Sequence, residues 1–236
     1  MPISSEWRVL PHGAIVEVTE NLWTVEGTLP KGALKRVMSI AKLSDGRLVV
    51  HSAVAVDEDS VAKIEAWGMP AFLLVPNRMH RTDALAYKTR FPQLHILAPA
   101  AARSAVDEVV TTEGDYSQFP KDDAVSLISL AGTGHREGVM KVISSDGTTL
   151  VFSDVIFNMP HVGGAIGWIL RHITNSTGGP RISRLARMGL VRDTKTLRAE
   201  LEQLAATPHL TRIIVSHHLP IEVHAANVLL GIAASL

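Results

Sequence analysis

The order of apolar runs predicts an α/β chain: two sheets packed face to face, or one large sheet, with helices covering both sides. Three observations predict it. Strand-like runs alternate with amphipathic stretches of helical length along the whole chain. At 236 residues, with 46% hydrophobic content and a mean hydropathy of +0.18, the chain can bury a large core as one compact domain over 1–236. The segments VMSIAKLSDGRLVVHS, from Val37, and VMKVISSDGTTLVFSD, from Val139, share one plan of strand, SDG turn and second strand ending in His or Asp. That likeness divides the domain into two similar halves, about 1–118 and 119–236, although SDG is a common turn and shared turn chemistry explains the match equally well.

The elements follow in order. AIVEV and LWTVE alternate as half-buried strands, and RVMSIAKL, SDG and RLVVHSAV form a hairpin, so the opening segment is antiparallel. A helix starts near Asp57, where DEDSVAKIEAWG has acidic residues in its first turn and a glycine stop, and AFLLVP returns as a buried strand. TDALAYKTRF is a second helix, LHILAP a strand, and AAARSAVDEVV a short helix running into a strand. The polar stretch TTEGDYSQFPKDD closes the first half. Beyond the second hairpin lie helices from Val162 through His172, the loop NSTGGP, the helices ISRLARMG and TKTLRAELEQLAAT, the strand LTRIIVS and a C-terminal apolar helix.

Composition excludes several classes of function. Lys+Arg 23 balances Asp+Glu 23, and no basic stripe with interleaved aromatics appears, so nucleic acid is not an expected partner. The start, MPISSEWRVLPHG, is unlike a signal peptide and no apolar span of about 20 residues follows, so a cytoplasmic protein with no membrane partner is expected. The absence of Cys leaves only nitrogen and oxygen ligands for any metal, and the 11 His supply them. There is no G-x-S-x-G for a nucleophile elbow.

Four apolar runs each end in a polar residue: His80 after AFLLVPNRM, His135 after AVSLISLAGTG, Asp154 within LVFSDVIF, and His217 after LTRIIVS. Strands that stop this way place those groups along one sheet edge, where they can converge on a metal ion or a water. The order of these elements, with GTGH, LVFSDVIF and IVSHHLPI, resembles the metallo-β-lactamase-like superfamily across essentially the whole chain. That resemblance implies a four-layer αββα sandwich and metal-ligand roles for His135, Asp154 and His217, with hydrolysis of an ester, amide, thioester or phosphodiester as the activity. The family's first motif, H-x-H-x-D-H, is degenerate: Arg78, His80, Thr82 and Asp83 stand where His, His, Asp and His are usual.

A single divalent metal then fits best, with His80, His135, Asp154 and His217 as ligands and zinc, manganese or iron as the ion. Asp83 or Asp154 would orient a catalytic water for a small-molecule substrate. His51, Asn77, Arg78, His161 and His218 are the expected ligand-binding residues, His217 being preferred to His218 for the metal. Arg78 sharpens the choice. Two unit charges ~4 Å apart at an effective dielectric of ~20 interact by ~4 kcal/mol, and a divalent ion doubles this, so Arg78 and a metal do not share one subsite. The alternative is a non-catalytic protein without metal, in which Arg78 neutralises Asp154 and binds a small anion. A third reading is association, as a homodimer, through the apolar C-terminal helix.

Overall fold

The computed structural model describes residues 5–29 and 35–236, without the side chain of Ile166. Seven strands form the first sheet: β1 (Val16–Thr19), β2 (Leu22–Thr28), β3 (Lys35–Lys42), β4 (Leu48–His51), β5 (Pro70–Leu74), β6 (His95–Ala98) and β7 (Gly114–Asp115), hydrogen-bonded in that order. β1 to β4 are antiparallel, and β4 to β7 run parallel because helices connect them. The second sheet has the order β13-β10-β9-β8, from β8 (Val125–Ser129), β9 (Gly138–Ser144), β10 (Gly147–Phe152) and β13 (Leu210–Val215). The remaining strands, β11 (Phe157–Met159) and β12 (Gly179–Arg181), pair with each other, and Asn158 of β11 also bridges to His218.

Among the described residues seven α-helices accompany the strands: α1 (Glu58–Trp67), α2 (Ala84–Arg90), α3 (Arg103–Asp107), α4 (Gly164–His172), α5 (Arg184–Gly189), α6 (Thr194–Ala205) and α7 (Ala225–Ala234). Local chemistry sets their starts. The Asp57 carboxylate accepts from Ser60 N at 2.8 Å, and the Asp193 carboxylate caps α6 through Thr196 N at 3.0 Å. Both SDG turns place glycine at positive φ, Gly46 at 88° and Gly147 at 130°, where a side chain would be strained.

Three apolar clusters fill three spaces between four layers. Ile40, Val50, Leu73 and Ile96 of the first sheet pack with Val61 and Ile64 of α1 and Tyr87 of α2. Leu22, Val49, Phe72 and Leu97 meet Val125, Met140, Val151 and Ile214 between the sheets. Leu150, Phe152 and Ile213 pack with Leu197 and Leu201 of α6 and Leu229 of α7. The alternation of strand residues between these clusters produces the αββα sandwich. Two expectations need correction. Val109 and Val110 turn back onto Val106 O rather than forming a strand, and the NSTGGP loop contributes β12. Among the described residues no helix is long and apolar enough to cross a membrane.

Candidate functional site

Parallel strand ends build the site. β10 and β13 run parallel with Phe152 beside Val215, so Asp154 and His217 leave the same sheet edge two residues later. In the first sheet β4 and β5 are parallel with His51 beside Leu74, which delivers Ser52 and the turn carrying Asn77 and His80 to the carboxyl ends of their strands. Ligand sites in open α/β sheets form at such ends. Val37 N donates to Ser216 O at 2.8 Å and ties the start of β3 to this edge.

Asp154 Oδ1 is the meeting point, with His80 Nε2 at 3.2 Å and His217 Nε2 at 3.0 Å. One ligand atom from each of the three residues lies within 4.8 Å of the others. Both rings are held from behind. Lys35 O lies 2.7 Å from His217 Nδ1 and can only accept, so that nitrogen donates; Ser52 Oγ binds His80 Nδ1. Phe157 stacks on the His217 ring with centroids 5.3 Å apart at 10°.

The triad lies in the wall of a cavity of about 410 Å³. Met159, Phe157, Leu170 and Leu190 make much of its lining apolar, while Arg36 and Arg78 also border it. Arg78 is exposed and has no ion-pair partner among the described residues.

No protein-family profile and no curated protein sequence matches this chain. Solved structures do. The DIM-1 metallo-β-lactamase superposes with a TM-score of 0.63 at 11% identity, over 97% of this chain and 99% of that one. The metallo-β-lactamase of Hirschia baltica gives 0.61 at 14% over 93% and 96%, and that of Erythrobacter litoralis 0.61 at 13% over 94% and 96%. The chain has the metallo-β-lactamase fold.

The residues at this sheet edge fit a metal site by their own chemistry. Two imidazole nitrogens and a carboxylate oxygen converge, the outer ring nitrogens are already engaged, and a cavity leaves open positions. With His217 Nδ1 donating to Lys35 O, its Nε2 can bond Asp154 only as imidazolium, so a cation would take the place of that proton. Burial opposes charge on His217, but the Asp154 hydrogen bond and charge outweigh it and raise the imidazole above its ordinary value. Burial likewise pushes the Asp154 carboxyl up, yet the His80 charge and the hydrogen bonds of both histidines hold it well below the usual carboxylate range.

Behind the triad sits a second carboxylate. Glu137 is fully buried, and its Oε1 accepts from Val155 N at 2.8 Å. Asn77 Nδ2 donates to Glu137 Oε2 at 3.0 Å and to Asp154 Oδ2 at 2.8 Å, clamping the two carboxylates together, while its Oδ1 accepts from Met79 N at 2.7 Å. Burial and then the Asp154 charge push the Glu137 carboxyl up to about 8.

The structure therefore brings together His80, Asp154 and His217, with Arg78 on the cavity and Asn77 behind it. Other expected site residues lie elsewhere. His135 stands outside the cluster: Gly134 and His135 both have positive φ, 63° and 57°, which turns the ring into solvent, where Nδ1 meets Ser129 Oγ at 3.0 Å. Asp83 is not beside the triad chemistry either; its carboxylate holds Arg36 at 2.5 Å and Ala55 N at 3.2 Å. His51 is fully buried off the cavity wall, neither ring nitrogen having a partner among the described residues, and burial followed by the His80 charge lowers its pKa to about 3. His161 bonds Thr177 Oγ1 at 3.1 Å beside β12. His218, at φ 72°, also lies off the cavity, and burial and His217 lower its pKa. Glu137, Ser52, Arg36 and Phe157 were missed. No linear signal marks Glu137, a lone acidic residue between Asp123 and Asp146 that directly follows Arg136.

Proposed function

We propose that this chain is a hydrolase that uses one divalent cation held by His80, Asp154 and His217. The observation that carries the reading is the convergence of the two Nε2 atoms and the Asp154 carboxylate at the wall of the cavity. A bound cation would supply Lewis acidity toward an acyl or phosphoryl oxygen and acidify water toward pKa ~7. The chain's own residues do the rest. Ser52 and Lys35 O fix the ring planes, so the two Nε2 atoms keep their aim. Asn77 keeps Asp154 Oδ2 occupied, which leaves Oδ1 toward the imidazoles. Phe157 and Met159 exclude water on one side and favour a substrate with an apolar body.

The test is turnover by chelated protein reloaded with zinc, manganese or iron(II), on chromogenic ester, thioester and phosphodiester substrates. Metal-dependent turnover lost in Asp154→Asn is expected. Stoichiometric metal binding without turnover of any substrate would overturn hydrolysis. A second reading, binding of a small anion without catalysis, draws on Arg78, whose guanidinium borders the cavity without an ion-pair partner among the described residues. It requires thermal stabilisation by phosphate or a carboxylate that Arg78→Ala abolishes.

A further inference from the structure

The zero net charge of the chain conceals a local imbalance. Between Val155 and Arg192 there are five arginines, Arg171, Arg181, Arg184, Arg187 and Arg192, and no Asp or Glu. Elsewhere among the described residues five arginines pair with carboxylates, as in Arg36 with Asp83, Arg81 with Glu108, Arg90 with Glu58 and Arg212 with Asp146. In this segment none has a carboxylate side-chain partner among the described residues. Arg181 bonds Asn175 Oδ1, Arg184 bonds the carbonyls of His172 and Ile173, Arg187 bonds Leu236 O, and Arg192 bonds Gly189 O. No Asp or Glu side chain compensates these positive charges among the described residues.

The same stretch exposes large apolar side chains. Trp168 is 58% exposed, Ile173 54% and Met188 79%, with Ile169 and Leu185 also exposed. α4 and α5 are joined, since Arg184 N donates to Thr174 O at 2.8 Å. Leu170 of α4 and Leu190 just after α5 line the cavity, so the basic and apolar surface borders the site. Exposed aliphatic and indole groups interspersed with unpaired arginines match a layer that is anionic outside and hydrocarbon beneath. Trp is the residue that sits best at that boundary.

We propose that the α4–α5 face docks on an anionic lipid bilayer, with Trp168, Ile173 and Met188 entering the interface and the arginines engaging lipid head groups. The proposal needs no spanning helix and does not depend on the metal. An acidic protein is the competing partner. The bilayer is favoured because Trp168, Ile173 and Met188, each more than half exposed, carry indole and apolar groups that suit the boundary between head groups and hydrocarbon.

The test is flotation of the full chain with vesicles of phosphatidylcholine alone and of phosphatidylcholine mixed with phosphatidylserine. Binding to the mixed vesicles only, weakened by salt, with a blue shift of Trp168 emission, is expected. Each arginine at an anionic leaflet contributes about fivefold, so the double variant Arg171→Glu, Arg187→Glu should lower partitioning more than tenfold. Because that variant loses the Leu236 contact, Trp168→Ser with Met188→Ser is the parallel probe; it should weaken binding with an unchanged melting temperature. Equal partitioning on both vesicle types, or on neither, overturns the proposal. So does salt-sensitive retention on polyglutamate that exceeds binding to the mixed vesicles, which would assign the face to an acidic protein.

Discussion

Replacing Asn77 by Ala removes the one group that holds two buried carboxylates side by side. Three short hydrogen bonds of this side chain are at stake, to Asp154 Oδ2 at 2.8 Å, to Glu137 Oε2 at 3.0 Å, and from Met79 N at 2.7 Å, beside a longer one to Ser153 Oγ at 3.3 Å. The bond to ionised Asp154 is charge-assisted and contributes ~1.5–3 kcal/mol, and each of the other short ones ~1 kcal/mol, so the loss is about 3–5 kcal/mol. For a chain of this size that lowers the melting temperature by roughly 6–20 °C. The pH dependence carries more information. Glu137 has a folded pKa of about 8, raised from 4.5, so its favourable contribution is complete below pH 4.5 and lost as pH rises through 8. Below pH 8 Asn77 therefore faces one charge, and above it two. The Asn77→Ala penalty should grow between about pH 7 and about pH 9, measured by urea unfolding of metal-free protein at constant m. A loss below ~1 kcal/mol, or a penalty that shrinks as pH rises, would refute the clamp.

Other expectations are simpler. Ser52→Ala frees the His80 ring and should weaken zinc binding by about 10–100-fold in a competition titration, with the fold's melting temperature nearly unchanged. In chelated protein, His217 with its raised pKa adds stability that is complete below 6.5 and lost as pH rises through the folded value; Asp154, with its lowered pKa, adds stability present above 3.8 and lost as pH falls through its folded value. Metal-free melting should thus peak in mildly acid buffer, and Asp154→Asn should flatten the profile. Leu201→Ala, at the fully buried face of α6, should cost ~2–5 kcal/mol in urea unfolding without changing zinc affinity.

Much of the fold was legible because its cause is local. Alternation in β2, the acidic start of α1 at Asp57 and the glycines of both SDG turns are properties of a few neighbouring residues. β11 and β12 escaped notice because three-residue strands carry no period. In the site, His80, Asp154 and His217 could be picked out as polar ends of apolar strands, and parallel pairing brings them together. His135 looked the same in sequence, but two consecutive left-handed residues turn its side chain outward. Nothing in a linear pattern distinguishes that turn from its mirror. Glu137 was invisible for a different reason: a lone acidic residue after a basic one reads as surface, and only burial beside Asn77 gives it a role.

The central claim is that three side chains, without His135, make one cation site. Its most direct test is the zinc content of wild type, His217→Ala and His135→Ala after loading and desalting. About one equivalent in wild type and in His135→Ala, with less than about a tenth in His217→Ala, is the expected result. Zinc lost from His135→Ala, or retained by His217→Ala, would contradict it.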